Sequence, residues 1–118
     1  MTIGTDIVEV ERFHAQPDNF YQHIFTEKEI EYAREFKLTS SEHFAGFFAC
    51  KEAVVKALGC GFGTVSPRDI EVLHEESGKP YIVLYGKAKE IFNQFYYTQI
   101  DVSISHIHTT AIAFCVIN

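Results

Sequence analysis

Between Ser40 and Leu58 the chain reads SSEHFAGFFACKEAVVKAL, and at ~3.6 residues per turn a helix over this stretch is apolar or small in almost every direction. Phe44, Phe47, Phe48, Val54, Val55 and Leu58 make one broad face, while Ala45, Gly46, Ala49, Cys50, Ala53 and Ala57 cover much of the rest. A helix that is apolar all round must be buried, so the other elements have to be built around it. Thr39 and Glu42 have the spacing of a capping box at its start, and Gly59 stands where a helix terminates. The helix also carries Lys51, Glu52 and Lys56. Burying an ionised group without a partner costs several kcal/mol, so something must compensate these charges.

The flanking segments supply strands and shorter helices. Ile3 to Val10 is β-branched and predicts a strand with Gly4, Asp6, Val8 and Val10 on one face and Ile3, Thr5, Ile7 and Glu9 on the other. Thr26 with Glu29 is a second capping box, opening a helix towards Phe36. Asp69 to His74 and Tyr81 to Leu84 predict a hairpin turned around Ser77 and Gly78, with Pro80 suited to a strand start. Lys87 to about Phe95 has helical spacing at Ala88, Ile91, Phe92 and Phe95. Ile100 to Ser105 alternates as a half-buried strand, and Ala111 to Ile117 closes the chain as its hairpin partner. With few parallel crossovers, the expected class is α+β with a mainly antiparallel sheet around a long central helix, in one domain over residues 1–118.

A formal charge of -6 argues against nucleic acid as the main partner, since a phosphate backbone wants a basic face. Cys50, Cys60 and Cys115 form no C-x-x-C pattern, so neither a disulfide framework nor a zinc site is expected. The start of the chain, with Asp6 and Glu9, lacks the apolar core of a signal peptide, and no stretch approaches the ~20 apolar residues of a membrane span. The expectation is a soluble cytoplasmic protein that does not engage membranes.

Several residues could carry chemistry. Glu52 and Lys56 lie four apart, on one side of the central helix, where Ala45 and Ala49 leave room for a ligand or another chain; the bland reading is a surface ion pair of ~0.3–0.5 kcal/mol. Asp6 is unusual in a strand and follows Gly4 closely. Two converging carboxylates suit magnesium, which takes one or two of them plus phosphate oxygens and water, and Lys56 would then hold phosphate. His106 ends a strand, where a structural role is common, and its pairing with His108 is a weak metal signal. Gly59 to Gly63 could cradle phosphate but lacks the Lys-Ser/Thr ending of a nucleotide-binding loop.

Four stretches together resemble the holo-acyl-carrier-protein synthases, the small class of 4'-phosphopantetheinyl transferases. They are GTDIVEVER from Gly4 to Arg12, FAGFFACKEAVVKALGCGFG from Phe44 to Gly63, DIEV at 69–72 with Gly78-Lys79-Pro80, and VSISH at 102–106. The resemblance implies magnesium on Asp6 and Glu52, a coenzyme A phosphate contact at Lys56, and a place for His106 in the coenzyme pocket, with Gly59, Lys79 and Pro80 also on the coenzyme side. It implies attack of a carrier serine on the β-phosphate of coenzyme A, release of adenosine 3',5'-bisphosphate, and a role in fatty acid biosynthesis. It further implies an apo-acyl carrier protein as partner and a homotrimer whose active sites lie between subunits. The general base is either Glu52, through a water held near the metal, or His106 directly.

Two departures stand out. Phe47 occupies a position where many members of that class have arginine, and His14 to Phe25 contains no Lys or Arg to meet an acidic carrier. Docking through Phe20, Tyr21 and Phe25 is the expectation that follows. Other magnesium-dependent pyrophosphate chemistry, or a non-catalytic trimeric binding module, are the competing readings.

Overall fold

Gly4 determines how closely the first strand meets the central helix. A Cβ built on it would lie 1.9 Å from the carbonyl oxygen of Ala53 and 2.8 Å from the amide nitrogen of Ala57. Both contacts are with helix backbone, which cannot yield, so only glycine permits this approach. The computed structural model describes residues 1–118. Strand β1 (Thr2–Glu9) leads through a 3-10 turn (Val10–Phe13) to helices α1 (Asp18–Ile24), α2 (Glu27–Glu35) and α3 (Ser40–Leu58). A second 3-10 turn (Pro67–Asp69) precedes β2 (Ile70–His74) and β3 (Pro80–Leu84), and α4 (Gly86–Gln94), β4 (Ile100–His106) and β5 (Thr110–Ile117) complete the chain.

The strands form two antiparallel sheets: β1-β5-β4, and the hairpin β2-β3. In the larger sheet Asp6 and Ile104 both pair with Ala113, and Val8 and His106 both pair with Ala111. Its inner face, with Val8, Ala111, Ala113, Cys115 and Ile117, packs on α3 as part of one core of 25 buried hydrophobic residues. The α+β expectation holds, and of the two predicted faces β1 turns the one with Gly4, Asp6 and Val8 inwards. The strand stops at Glu9, one residue short of the prediction, because Val10 starts the 3-10 turn.

Helix α3 has the predicted bounds, and Gly59 ends it in the left-handed conformation at φ 77°, where its amide donates to the Lys56 carbonyl. The predicted capping box at its start is absent: Thr39 is the N-cap, but its side chain makes no cap hydrogen bond. Glu42 is engaged instead by His106 from β4. The small face of α3, expected to admit a ligand or another chain beside Ala45 and Ala49, lies against the protein's own sheet, with both residues and Ala53 wholly buried.

Helix α1 was not legible as a periodic segment. Its aromatic residues are interior: Tyr21 and Phe25 are buried and Phe20 is half-buried, in a cluster with Phe13 and Phe44. The Tyr21 hydroxyl donates to the Phe13 carbonyl at 2.8 Å. The expectation that these rings offer an apolar docking surface is therefore overturned for Tyr21 and Phe25, which build the core.

The predicted Thr26–Glu29 capping box is present, and it does more than cap. The Thr26 amide donates to Glu29 Oε1 at 2.8 Å, Lys51 Nζ lies 2.9 Å from the same oxygen, and the Val72 amide donates to Oε2 at 2.8 Å. Both side chains of this ion pair have no solvent exposure. Lys51 also donates to the carbonyls of Pro67 and Ile70. The charge on Lys51 that burial should penalise is thus fully partnered, and the pair ties α2, α3 and β2 together.

Candidate active site

Because Gly4 lets β1 settle onto α3, Asp6 two residues on meets the second half of that helix. Lys56 Nζ lies 3.3 Å from Asp6 Oδ1 and donates to the Thr5 carbonyl at 3.0 Å. The spacing-based ion pair between Lys56 and Glu52 is not formed; Lys56 reaches across to the strand. Glu52 is half-buried, and burial first, then the negative charge of Asp6, pushes its carboxyl above the usual range, with Lys56 and Arg12 acting the other way. A carboxyl raised by burial and by a neighbouring carboxylate, with cations beside it, forms an electrostatic site suited to a divalent cation and phosphate.

The donor set fits magnesium in one specific sense. No group of three or more His, Cys, Asp or Glu side chains is gathered anywhere in the chain, so no all-protein cage exists. Asp6 and Glu52 are hard oxygen donors of the number magnesium takes when substrate phosphates and water complete its shell.

His106 lies elsewhere. Its Nδ1 is 2.9 Å from Glu42 Oε1, and since a carboxylate only accepts, the ring donates from Nδ1 and leaves Nε2 free. His108 Nδ1 approaches the other oxygen at 3.5 Å. The hydrogen bond from His106 holds the Glu42 carboxyl below its ordinary range. Glu42 and Glu52 are ten residues apart on α3, which is ~15 Å along its axis. One chain therefore carries two separate clusters: Asp6, Glu52 and Lys56 towards the end of α3, and His106 with Glu42 near its start.

The remaining predicted residues divide between them. Pro80 and Gly78 share with His106 a cavity of ≈ 170 Å³ whose wall also includes Tyr32, His43, Phe47 and His74. Lys79 is exposed on the turn between Gly78 and Pro80, its amide directed to Ser77 Oγ. Gly59 is exposed at the end of α3, three residues beyond Lys56. Phe47, at the position noted for its missing arginine, is buried beside the rings of Tyr32 and His74. Sequence reasoning missed Glu42, His43 and His74; the first was read as a cap, and the last two gave no spacing signal. A larger cavity of ≈ 620 Å³ between α1 and α2 contains none of the predicted metal or coenzyme residues, and of the expected docking residues only Phe25 borders it.

On the outer face of the β1-β5-β4 sheet, β1 and β5 present uncovered apolar side chains beside the polar Asp101, Ser103 and Ser105 of β4. Ile3 and Ile7 are 57% and 68% exposed, and Ile112 and Phe114 46% and 45%. Ile7 stands opposite Ile112 in register, and the two share a cleft of ≈ 220 Å³ with Ser105, His106 and Ile107. The His106 cluster thus borders these exposed apolar side chains. No helix is long and apolar enough to cross a membrane.

Comparison with known proteins points in one direction. The family model of the 4'-phosphopantetheinyl transferase superfamily matches residues 2–115. A holo-[acyl-carrier-protein] synthase of Clostridium botulinum is 48% identical over 118 residues, covering 98% of this chain and 94% of the relative. The crystal structure of the Helicobacter pylori holo-[acyl-carrier-protein] synthase in complex with coenzyme A superposes with a TM-score of 0.84 at 32% identity, covering 98% of this chain and 99% of that one. The Bacillus anthracis synthase in complex with CoA (3',5'-ADP) gives 0.81 at 36%, covering 98% and 94%.

Proposed function

The chain belongs to the 4'-phosphopantetheinyl transferase superfamily, among the holo-acyl-carrier-protein synthases, and from that premise we propose that it transfers 4'-phosphopantetheine from coenzyme A to a serine of an apo-acyl carrier protein. The observation that carries the reading is the meeting of Asp6, Glu52 and Lys56 across the β1–α3 contact. In the reaction the serine oxygen forms a bond to the β-phosphorus while the bond from that phosphorus to the bridging oxygen breaks. The serine proton passes to the general base, Glu52 through a water or His106 directly, and adenosine 3',5'-bisphosphate departs with the bridging oxygen.

Asp6 and Glu52 would hold magnesium, which when bound supplies positive charge against the pyrophosphate as negative charge builds there. Lys56, tethered to Asp6 and the Thr5 carbonyl but 55% exposed along its side chain, is placed to turn its ammonium to a phosphate oxygen. Glu42 fixes the tautomer of His106, so that Nε2 can accept a proton or a hydrogen bond from the coenzyme. Gly59, Lys79 and Pro80 stand beside these groups on the coenzyme side.

The separation of the two clusters supports a homotrimer with active sites between subunits. The exposed Ile3, Ile7, Ile112 and Phe114 face needs covering, and a second copy seated there lies against the cleft that contains His106. The copy's own Asp6, Glu52 and Lys56 then complete the site. Work in the cytoplasm in support of fatty acid biosynthesis is the corresponding physiological role.

The test is direct. The protein is incubated with coenzyme A, magnesium and an apo-acyl carrier protein, and the carrier is weighed by mass spectrometry. A phosphopantetheine adduct on the serine is expected, dependent on magnesium and absent with a serine-to-alanine carrier. Intact coenzyme A with unmodified carrier would overturn the proposal.

A further inference from the structure

Asp6 and Lys56 form an unequal pair. The Asp6 side chain is 16% exposed, on a strand that Gly4 seats against the backbone of α3, so the packing holds its carboxylate in place. Lys56 is 55% exposed, stands in the last turn of α3, and reaches the strand on a flexible aliphatic stem. Its Nζ is held by two acceptors, Asp6 Oδ1 at 3.3 Å and the Thr5 carbonyl at 3.0 Å. Glu52, one turn back, feels the charge of Lys56 without pairing with it.

A carboxylate that a divalent cation needs is therefore already matched by a cation of the protein's own. Asp6 and Glu52 are not joined by a third side chain of metal-binding type. Arg12, exposed and with its guanidinium 5.2 Å from the centre of the Phe48 ring, adds a second positive charge on the Glu52 side. With both carboxylates ionised, Lys56 and Arg12 cancel them. A divalent ion held by protein donors alone meets no net attraction and has to displace or approach the Lys56 ammonium. A phosphate changes that balance: it offers the ammonium another acceptor, and it brings the metal the oxygen donors that the chain does not supply.

We propose that Lys56 is an internal counter-ion that keeps Asp6 from taking a metal until a phosphate draws its ammonium away, so that metal enters together with the coenzyme instead of residing in the free enzyme. The inference rests on the coenzyme A reading and gives Lys56 a second role in it: besides meeting phosphate, it sets the order in which the site fills. Removing its charge acts oppositely on the two ligands. Coenzyme binding weakens, while metal binding to the free protein tightens by on the order of tenfold, because a positive charge a few ångströms from a divalent ion is gone. A lysine that only contacts phosphate would leave metal affinity of the free protein unchanged, and one that shaped Asp6 for the metal would lower that affinity when removed.

The experiment titrates Mn2+ as the probe of the divalent site, read by loss of the free-ion paramagnetic resonance signal and reversed by magnesium. Wild type and Lys56→Met are compared without and with saturating coenzyme A, with correction for Mn2+ held by the coenzyme in solution. Lys56→Met keeps the reach of an exposed side chain, and Lys56→Gln is measured beside it, with circular dichroism confirming the fold of each. Without coenzyme, both variants should bind Mn2+ about tenfold tighter than wild type. Adding Asp6→Asn to Lys56→Met should abolish the gain. Coenzyme A should raise the Mn2+ affinity of wild type by a larger factor than that of Lys56→Met. Equal or weaker Mn2+ binding by the folded variants, no binding by any of the proteins, or a gain that survives Asp6→Asn would overturn the proposal. Coenzyme A that neither binds wild type nor alters its Mn2+ affinity would instead overturn the reading on which it rests.

Discussion

Lys56 on α3 pairs with Asp6 on β1, not with Glu52 one turn back on its own helix. The consequence is that Glu52 stands half-buried beside a like charge, and its carboxyl is pushed upward, first by burial and then by Asp6. A carboxyl whose folded value lies above its unfolded one favours the protonated fold. Its contribution to stability is fully present below the unfolded range near ~4.3 and is lost as pH rises through the raised folded value. Glu52→Gln should therefore leave the metal-free protein as stable as wild type in acid and slightly more stable at pH 7 to 8, as read by thermal melts.

The same substitution should abolish most activity. Turnover in Glu52→Gln or Asp6→Asn should fall roughly a hundredfold or more, each ~1.4 kcal/mol of lost transition-state stabilisation being tenfold. Because magnesium needs Glu52 ionised, the magnesium concentration for half-maximal rate should climb on acidification from a higher pH than an ordinary glutamate would impose. Adduct formation measured against magnesium at several pH values checks this. Near-normal turnover in folded Glu52→Gln at limiting magnesium would remove the metal assignment.

How much of this was legible in the sequence depended on whether an element's partner was local. The Thr26–Glu29 box and the bounds of α3 were read correctly because spacing and a terminal glycine act within one or two turns. Thr39 and Glu42 have the same spacing, but His106, distant in sequence, supplies a stronger partner for Glu42, and no local rule announces it. Likewise the KEAVVK segment shows three charges without saying that Lys51 turns inward to Glu29, Lys56 crosses to Asp6, and Glu52 pairs with neither. The convergence of Asp6 with Glu52 was anticipated as a pair suited to magnesium, and Gly4 was noted as an opening; the structure gives the reason, since only a missing Cβ brings the strand to the Ala53 carbonyl.

The Lys51–Glu29 pair should behave as a buried pair whose loss is felt through the partner left behind. Lys51→Met leaves an uncompensated carboxylate with no exposure and should cost ~3–5 kcal/mol by urea denaturation. Lys51→Met combined with Glu29→Gln should cost clearly less than the sum of the two single changes, because neither charge is then stranded. Specific activity of the folded fraction should change little. Additive losses would show that the two side chains act independently.

Subunit association should depend on the outer sheet face. Ile112→Glu places a charge in the centre of an exposed apolar surface opposite Ile7, where it costs the folded chain little but must be desolvated on association. Sedimentation is expected to shift from trimer to monomer, with activity lost in parallel because His106 no longer meets the carboxylate pair of another copy. Retention of the trimer by a folded Ile112→Glu protein would place the interface elsewhere.

Glu42 is expected to act as a positioning residue for His106, and its variants separate that role from a structural one. The hydrogen bond from His106 lowers the Glu42 carboxyl, so the stabilisation it gives is present above the unfolded range and is lost as pH falls through the lowered folded value. Glu42→Gln should thus be less stable than wild type at pH 7, with the difference vanishing in strong acid. Glutamine keeps an oxygen that can accept from His106 Nδ1, whereas alanine keeps nothing. If Glu42 orients the ring, Glu42→Gln should retain a substantial part of kcat and Glu42→Ala should lose at least tenfold, although both are destabilised. If Glu42 only stabilises the fold, the two variants should show the same kcat once corrected for the folded fraction, and the orienting role would be refuted.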